Sequence, residues 1–274
     1  MSVPSCRWKL GLALSLISTV LWGSLPIALK TLVEVMDAQT IAWYRFLAAA
    51  VVLGAYLRWS GNLPSPSAFR GAALWPLLIA IFGVTANNVV FLLGLDYISP
   101  SAAQVVIQIA PMFLLLGAVA IFREDFRPSQ WAGFAVLAGG LVLFFNQRLE
   151  DLSVRWTSYT TGILLVVLAS LLWAAYALAQ KQLLGSFRSV PVLWVLYAVG
   201  SVLLLPLAEP RQVAQLDGVR LLVLLYCALT TVAAYGSFVE ALVHWEASRV
   251  SAVVATCPLL TVVLTAAVSG IAPG

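Results

Sequence analysis

The stretch LGLALSLISTVLWGSLPIALKTL occupies residues 10–32 and carries one charged side chain, that of Lys30. A helix needs about 20 mostly apolar residues to cross the hydrocarbon core of a bilayer, and this stretch is long enough. It also contains Gly23 and Pro26, and both residue types are more frequent in membrane helices than in soluble ones. We therefore predict one transmembrane helix here.

Part of this stretch recurs later in the chain. Trp22 and Lys30 reappear as Trp173 and Lys181, each 151 residues further on. Six more pairs follow, at offsets of 151 and then 147 residues: Leu21 and Leu172, Trp43 and Trp194, Leu95 and Leu242, Ser101 and Ser248, Val106 and Val253, Pro111 and Pro258. A duplicated block of membrane helices is typical of a transporter with its site between the two copies.

The composition places the whole chain in a membrane. Hydrophobic residues make up 62% of it and charged residues 9%, and the mean hydropathy is +1.00, whereas a soluble domain carries about 25% charged residues. Long apolar runs with short polar breaks favour helices, because the strands of a β-barrel alternate every second residue. The net charge of +4 is scattered over the loops, so we expect no nucleic-acid partner.

Nine segments are candidate transmembrane helices, separated by charges and prolines. They cover residues 10–32, 38–59, 73–95, 100–122, 128–147, 159–184, 190–208, 219–243 and 248–270. Cytoplasmic loops of membrane proteins are enriched in Lys and Arg. A cytoplasmic N-terminus puts nine of these residues in inner loops and five in outer loops, so we predict that orientation.

The two copies are predicted to be inverted repeats of five helices each, at residues 1–148 and 153–274. An odd number of helices makes the second copy enter the membrane in the opposite sense. The expected fold is an all-α integral membrane protein with ten helices around a central cavity, about nine of them visible. The first copy runs ~36 residues past Pro111 and the second sixteen past Pro258, so we expect the native chain to be longer by a tenth helix.

Polar residues inside the apolar segments are candidates for substrate binding, because a charge in lipid costs at least about 2.5–3.5 kcal/mol. Arg45 suits a carboxylate, although it could instead reach the interface or pair with a neighbouring helix. Asn87, Asn88, Gln104 and Gln108 are amides in the third and fourth segments and suit a polar or zwitterionic solute. Hydrogen bonds between helices would explain these amides equally well.

Four aromatic residues lie near the middle of their helices, away from the interfaces where Trp and Tyr usually collect. They are Trp22, Trp173, Tyr176 and Tyr235. Because Trp22 and Trp173 are equivalent in the two copies, they should meet near the pseudo-two-fold axis. We predict that all four line a cavity for apolar or aromatic groups; for the tryptophan pair, packing between the copies is the alternative.

Glu240 is the only acidic residue deep in a predicted helix, and His244, the only histidine, follows one turn later on the same face. They are candidates for coupling transport to protons. The alternatives are a structural partner for Arg45 and an interfacial histidine. Gly23, Pro26, Pro111 and Pro258 are predicted to interrupt helices and to act as hinges, since proline removes a backbone hydrogen bond; a static kink is the alternative.

Catalytic and nucleotide-binding signatures are absent from the sequence, including H-E-x-x-H, G-x-S-x-G and a Walker loop. Cys6, Cys227 and Cys257 lack the spacing of a metal or redox site. We therefore expect no enzyme, no cofactor and no metal site. Pumping would then depend on a gradient or a partner.

Several stretches, in the same order and spacing along the whole chain, carry a resemblance to a known family. They are Leu21 to Ser24 with Lys30, Arg45-Phe46, Asp96 to Ser101 leading to Pro111, Arg123 to Asp125, Gln130 to Gly133, Trp173, Ala247 to Arg249, and Pro258. Together they resemble the EamA-type members of the drug/metabolite transporter superfamily. The chain departs from repeat symmetry at Leu196, which stands opposite Arg45.

The resemblance implies ten helices in two inverted repeats, with helices five and ten outside the cavity, and export of small metabolites across the bacterial inner membrane. The tryptophans make the chain most similar to exporters of aromatic amino acids. We expect export of amino acids with aromatic or apolar side chains by alternating access, from a monomer or weak homodimer in the bilayer. The alternatives are a nucleotide-sugar or phosphorylated cargo and a facilitator that follows the gradient.

Overall fold

The computed structural model describes residues 7–65, 69–122, 128–145, 157–245 and 247–271. This part of the chain is helical, with no strand. Its α-helices are α1 (Trp8–Val33), α2 (Ala38–Trp59), α3 (Leu74–Tyr97), α4 (Pro100–Val106), α5 (Ile109–Phe122), α6 (Pro128–Phe145), α7 (Ser158–Leu184), α8 (Ser189–Leu204), α9 (Gly218–His244), α10 (Ala247–Val254) and α11 (Cys257–Ile271).

The helices coincide with the nine predicted segments. Within the described residues, eight stretches are long and apolar enough to cross a membrane, and a shorter apolar stretch, Trp131–Leu143, lies in α6. The predicted all-α integral membrane fold is confirmed. The predicted boundary between the copies, residues 149–152, lies outside the described residues, and the two repeat ranges stay a prediction.

Side-chain caps set where several of these helices begin. Asp37 begins α2 by accepting a 2.7 Å hydrogen bond from the backbone N–H of Thr40, and Thr157 caps α7 in the same way. Asp217 begins α9 by accepting a 2.8 Å bond from the backbone N–H of Arg220. That bond, together with the adjacent Arg220 guanidinium, lowers the pKa of the Asp217 carboxyl from its usual value.

The helices of the first copy pack against those of the second in a crossed order. α1 packs against α9, α2 against α8, and α3 against α7. By the sequence offsets, α1 corresponds to α7 and α3 corresponds to α9. The contacts α1–α9 and α3–α7 are therefore the same contact made once from each copy, as in an interface with two-fold symmetry.

Single residues show the same symmetry. A Cβ atom on Gly11 would lie 2.5 Å from the Cβ of Trp245, and one on Gly162 would lie 2.6 Å from the Cγ2 of Ile98. Gly11 and Gly162 are 151 residues apart, and Ile98 and Trp245 are 147 residues apart. These are the offsets found in the sequence, so both copies bring α-helices together at an equivalent glycine.

A hydrogen bond repeats at a second equivalent position. Ser18 Oγ on α1 donates to the carbonyl of Ala234 on α9 at 3.1 Å. Asn87 Nδ2 on α3 donates to the carbonyl of Ala169 on α7 at 2.8 Å. Ala169 is the counterpart of Ser18, and Asn87 is the counterpart of Ala234. Each of the two equivalent helix crossings therefore has one hydrogen bond from a side chain to a backbone carbonyl at this position. The donor lies on α1 in one crossing and on α3 in the other.

The two copies run in opposite directions. Lys30 Nζ, near the end of α1, donates to the carbonyls of Leu95 and Asp96 at 2.7 and 2.9 Å, so α1 and α3 end together. Gly162, near the start of α7, contacts Ile98 at this same end. We call it the Lys30 end, and the opposite end, where α1 starts, the Trp245 end. Because α1 ends where α7 starts, the repeats are inverted.

Both copies break their fourth helix at the same place. The first break, at residues 107–108, separates α4 from α5, and the second, at residues 255–256, separates α10 from α11. Pro111 and Pro258 lie within the first turns of α5 and α11, where a proline is tolerated but the helix before it cannot continue unchanged. The predicted interruptions at these two prolines are therefore present.

The predicted interruptions at Gly23 and Pro26 are wrong, because α1 is continuous from Trp8 to Val33. A Cβ on Gly23 would lie 2.9 Å from Leu260 on α11, so this glycine allows a close approach of the two helices. Thr261 Oγ1 of α11 also donates to the Gly23 carbonyl at 2.6 Å. A proline within a continuous helix is tolerated in membranes where neighbouring helices pack closely against it.

Candidate functional site

A cavity of about 700 Å³, including its open mouth, lies between the two copies and extends toward the Lys30 end. Seven of the eight residues predicted to bind substrate line it: Trp22, Arg45, Asn87, Gln104, Gln108, Trp173 and Tyr235.

Aromatic side chains form one wall of this cavity. The rings of Trp22 and Trp173 meet edge to face with centroids 6.3 Å apart, and Trp22 meets Tyr235 in the same way at 5.2 Å. These separations are favourable for aromatic pairs. The predicted meeting of the two tryptophans near the two-fold axis is therefore confirmed, and it gives the cavity a wall suited to an apolar or aromatic group.

Tyr176 does not line the cavity, contrary to the prediction. Its side chain is fully buried behind the wall, with ring centroids 6.4 Å from Trp173 and 6.1 Å from Tyr235. A Cβ on Gly83 of α3 would lie 3.0 Å from the Cβ of Tyr176. The tyrosine thus sits on the face of α7 that packs against α3, and the missing side chain of Gly83 leaves room for it.

Arg45 reaches the cavity from α2 and is only 2% exposed, so it does not extend to the membrane interface. Its Nε donates to Thr231 Oγ1 on α9 at 2.9 Å. Among the described residues, no acidic side chain forms an ion pair with it. A buried cation without a counter-ion is costly, and the cost falls when an anion binds.

The four amides also line the cavity, but their bonding differs. Asn87 donates to the Ala169 carbonyl and so joins α3 to α7, whereas Asn88 donates to the Val84 carbonyl of its own helix. Gln108 Nε2 donates weakly to the Gln104 carbonyl at 3.4 Å, and Gln108 Oε1 is buried without a partner. An unpaired buried acceptor in a cavity wall suits a hydrogen-bond donor on a ligand.

The two helix breaks form another part of the wall. Ile107 and Pro111 line the cavity from the first break, and Val254 and Cys257 line it from the second. Discontinuous helices at a site between inverted repeats are a recurrent feature of transporters, because backbone groups freed at the break can face the substrate. Whether these breaks move stays a prediction.

Glu240 and His244 lie outside the cavity, at the Trp245 end. Their side chains are 3.2 Å apart, and Ser189 Oγ at the start of α8 donates to the second carboxylate oxygen of Glu240 at 3.2 Å. The carboxylate is therefore not a partner of Arg45.

Sequence reasoning missed the apolar residues of the wall: Leu25, Leu29, Phe91, Ile107, Ala110, Val254 and Cys257. Nothing in their chemistry separates them from lipid-facing residues. Helical spacing was a usable signal for two of them, because Leu25 and Leu29 follow Trp22 at intervals of three and four residues and so share its face.

The cavity combines a cationic hydrogen-bond donor, an unpaired hydrogen-bond acceptor and an aromatic wall. No group of three or more His, Cys, Asp or Glu residues able to hold a metal ion occurs within the described ranges. The described lining residues also include no acidic side chain. The chemistry available in this cavity is recognition of a small polar molecule with an apolar body.

Comparison with known proteins gives a consistent picture. A model of the EamA-like transporter family matches residues 9–146 and again residues 160–274. The chain is 39% identical to Escherichia coli K12 YhbE, named as an uncharacterized inner membrane transporter, over 92% of this chain and 79% of YhbE. It is 42% identical to an uncharacterized transporter of Haemophilus influenzae, over 92% of this chain and 82% of that protein.

A solved crystal structure shares the fold. It superposes with a TM-score of 0.71 over 96% of this chain and 90% of the other, at 18% sequence identity. At that identity the likeness concerns the arrangement of helices alone.

Proposed function

Since the chain belongs to the EamA-like transporter family and is therefore a membrane transporter, we propose that it exports amino acids with aromatic or apolar side chains. The observation that carries this proposal is that Arg45 and Gln108, with its unpaired Oε1, line the same aromatic-walled cavity. A guanidinium without a counter-ion matches a carboxylate, and an unpaired buried acceptor matches an ammonium group. The rings of Trp22 and Trp173 match the side chain of such a zwitterion.

We also propose that transport proceeds by alternating access. The inverted repeats support this proposal, because the same crossing built in two orientations can form one gate at each end of the bundle. The breaks before Pro111 and Pro258 support it further, since they border the cavity from both copies. With a cytoplasmic N-terminus, the Lys30 end would face the periplasm.

A nucleotide-sugar or phosphorylated cargo is the weaker candidate. Phosphate groups are usually bound by several Lys or Arg side chains. Arg45 is the one basic residue among those that line the cavity in the described part of the chain. A cavity wall in which a single cation stands among uncharged side chains is better matched to a carboxylate.

Uptake into proteoliposomes tests the substrate class. Purified protein is reconstituted and given radiolabelled phenylalanine, tryptophan or threonine, with protein-free liposomes as the control. We expect saturable uptake of phenylalanine and tryptophan that excess unlabelled ligand competes away, and slower uptake of threonine, which leaves the aromatic wall unfilled. If none of the three enters above the control, the substrate class is wrong, although family membership stands.

Replacement of Glu240 by glutamine tests proton coupling. Glutamine keeps the size of the side chain and can still accept the hydrogen bond of Ser189, but it cannot carry a proton. We expect wild-type protein to accumulate substrate when a pH gradient is imposed, and the E240Q variant to equilibrate it without accumulation. The measurement is the ratio of internal to external labelled phenylalanine at steady state.

Ser189→Ala is the matched control for this experiment, because it removes the hydrogen bond and leaves both titratable groups in place. It should accumulate substrate as the wild type does. Accumulation by E240Q at the wild-type level would exclude Glu240 as the coupling residue. A wild-type protein that never accumulates substrate would be the gradient-following facilitator.

A further inference from the structure

The cavity is symmetric at its centre and one-sided toward its mouth. At the centre, both members of a repeat-related pair line it, as with Trp22 and Trp173 or Ala110 and Cys257. The remaining lining residues all belong to the first copy. Their counterparts in the second copy do not line it, so by the two-fold relation one of two equivalent half-cavities is open in this structure and the other is not.

The counterparts on α7 show the closed half most clearly. Leu25 and Leu29 line the open half, and residues 151 positions further on are Tyr176 and Gln180. Neither of these lines the cavity, although all four side chains are buried to a similar extent. By the two-fold relation, they occupy the place toward the Trp245 end that the two leucines occupy toward the Lys30 end.

Tyr176 and Gln180 are polar, and their polar atoms are not satisfied. The Tyr176 hydroxyl lies beside the Gln180 side chain one turn further along α7, but outside hydrogen-bonding geometry, and neither that hydroxyl nor Gln180 Nε2 has a partner. The Tyr197 hydroxyl in the same cluster is also unpartnered, with its ring 6.2 Å from Tyr235. Orphaned buried polar atoms are rare in native proteins and need a reason.

We infer that Tyr176 and Gln180 form the polar wall of a second half-cavity, which contacts the amino-acid substrate when the protein opens toward the Trp245 end. This inference rests on the proposed alternating access. It explains why polar groups are kept in the closed half at a cost in stability, since opening would expose them to water and substrate. The two half-sites are chemically different, because the open half presents leucines at these positions.

Side-specific labelling of introduced cysteines tests the inference. Leu29→Cys and Gln180→Cys form one repeat-related pair, and Pro26→Cys and Ala177→Cys form a second. Each variant is treated with a membrane-impermeant methanethiosulfonate in right-side-out and in inside-out vesicles. Labelling is read at each site by mass spectrometry, so the native cysteines remain in place.

We expect L29C and P26C to be modified from the side that the Lys30 end faces, and Q180C and A177C only from the opposite side. Ala177 is small, so A177C keeps the test valid if Q180C fails to fold. Ala169→Cys is the matched control: residue 169 and its counterpart Ser18 are both fully buried in helix contacts, so neither state exposes it. It should stay unmodified from both sides.

Two results would overturn the inference. One is the absence of labelling at residues 177 and 180 from either side, and the other is labelling from the same side as residue 29. The readout needs no transported substrate, so it separates the two proposals: failure of amino-acid uptake with the expected labelling pattern rejects only the substrate class. Uptake of amino acids without that pattern rejects only the second half-cavity.

A transport measurement adds a readout that a purely structural role would not move. Gln180→Leu gives this position the side chain of its counterpart Leu29. We expect KM for phenylalanine to rise by about 2- to 12-fold, the worth of one buried hydrogen bond, for flux that starts at the Trp245 end. KM for flux that starts at the Lys30 end should stay at the wild-type value, and equal changes in both directions would contradict the proposed role.

Discussion

Replacement of Arg45 by alanine is expected to abolish transport while leaving the protein at least as stable as the wild type. The loss of transport follows from the loss of the one cation among the described residues that line the cavity. A hydrogen bond to a charged group contributes about 1.5–3 kcal/mol, so KM should rise by at least ~10-fold and flux at low substrate should fall accordingly. The measurement is the initial rate of phenylalanine uptake into proteoliposomes.

The expected stability has the opposite sign from that of most buried substitutions. Arg45 is 2% exposed and is held by one hydrogen bond to Thr231, with no acidic partner in the described part of the chain. Such a charge costs at least about 2.5–3.5 kcal/mol in a membrane. Removing it should therefore leave the thermal unfolding temperature unchanged or raised, as for residues kept for function against stability.

Two further substitutions separate charge from geometry. Arg45→Leu copies the repeat counterpart Leu196 and should behave as Arg45→Ala does, with better packing. Arg45→Lys keeps the charge but loses the planar fork that suits a carboxylate, so we expect intermediate flux. Wild-type uptake by Arg45→Ala would remove Arg45 from the binding site, and a collapse of its unfolding temperature would show that its role is structural.

The helices were predictable because each rests on a signal that is local in the sequence. Apolar runs of membrane-spanning length fix the helices, and the paired prolines Pro111 and Pro258 fix both breaks. Gly23 and Pro26 gave the same local signal but no break. The packing around these two residues is tertiary and cannot be read from a local signal: Thr261 of α11 donates to the Gly23 carbonyl, and that contact joins residues 238 positions apart.

The position of each site residue along its helix was predictable, but the side of the helix that faces the cavity was not. Tyr176 and Trp173 lie at similar depth on α7, yet only Trp173 faces the cavity. α7 is apolar on all its faces, since it is buried among other helices or faces lipid, and such a helix gives no amphipathic pattern from which a direction could be inferred. Polar residues were placed better, because lipid excludes them from half of the possible directions.

The contact between α3 and α7 is possible because glycines at that place have no side chain. It should therefore be the place in the fold that is most sensitive to substitution by a larger residue. A Cβ on Gly162 would lie 2.6 Å from Ile98 Cγ2, 2.8 Å from Tyr97 Cβ and 3.2 Å from the Gly94 carbonyl. A Cβ on Gly94 would in turn lie 3.1 Å from the Gly162 carbonyl. The two backbones touch here, and small residues are what permits such an approach in membranes.

Gly162→Leu is therefore expected to separate α7 from α3 and to prevent recovery of folded protein. Overpacking a tight contact costs about 1–3 kcal/mol or more, and here backbone atoms as well as side chains would have to move. The measurement is the monodisperse peak in fluorescence-detected size-exclusion chromatography of detergent-solubilised protein. Gly162→Ala should give a smaller loss, because a methyl group displaces fewer neighbouring atoms than the larger leucine side chain does.

Gly140→Leu is the matched control, since it makes the same change in a membrane helix where a Cβ meets nothing within 4 Å. It should elute as the wild type does. The two-fold relation adds a second prediction. Gly11 is the counterpart of Gly162 and contacts Trp245 as Gly162 contacts Ile98. Gly11→Leu should therefore also prevent recovery of folded protein. Equal recovery of the Gly11, Gly140 and Gly162 variants would show that the crossings tolerate side chains, and the close packing of the inverted repeats would then not be what holds the cavity together.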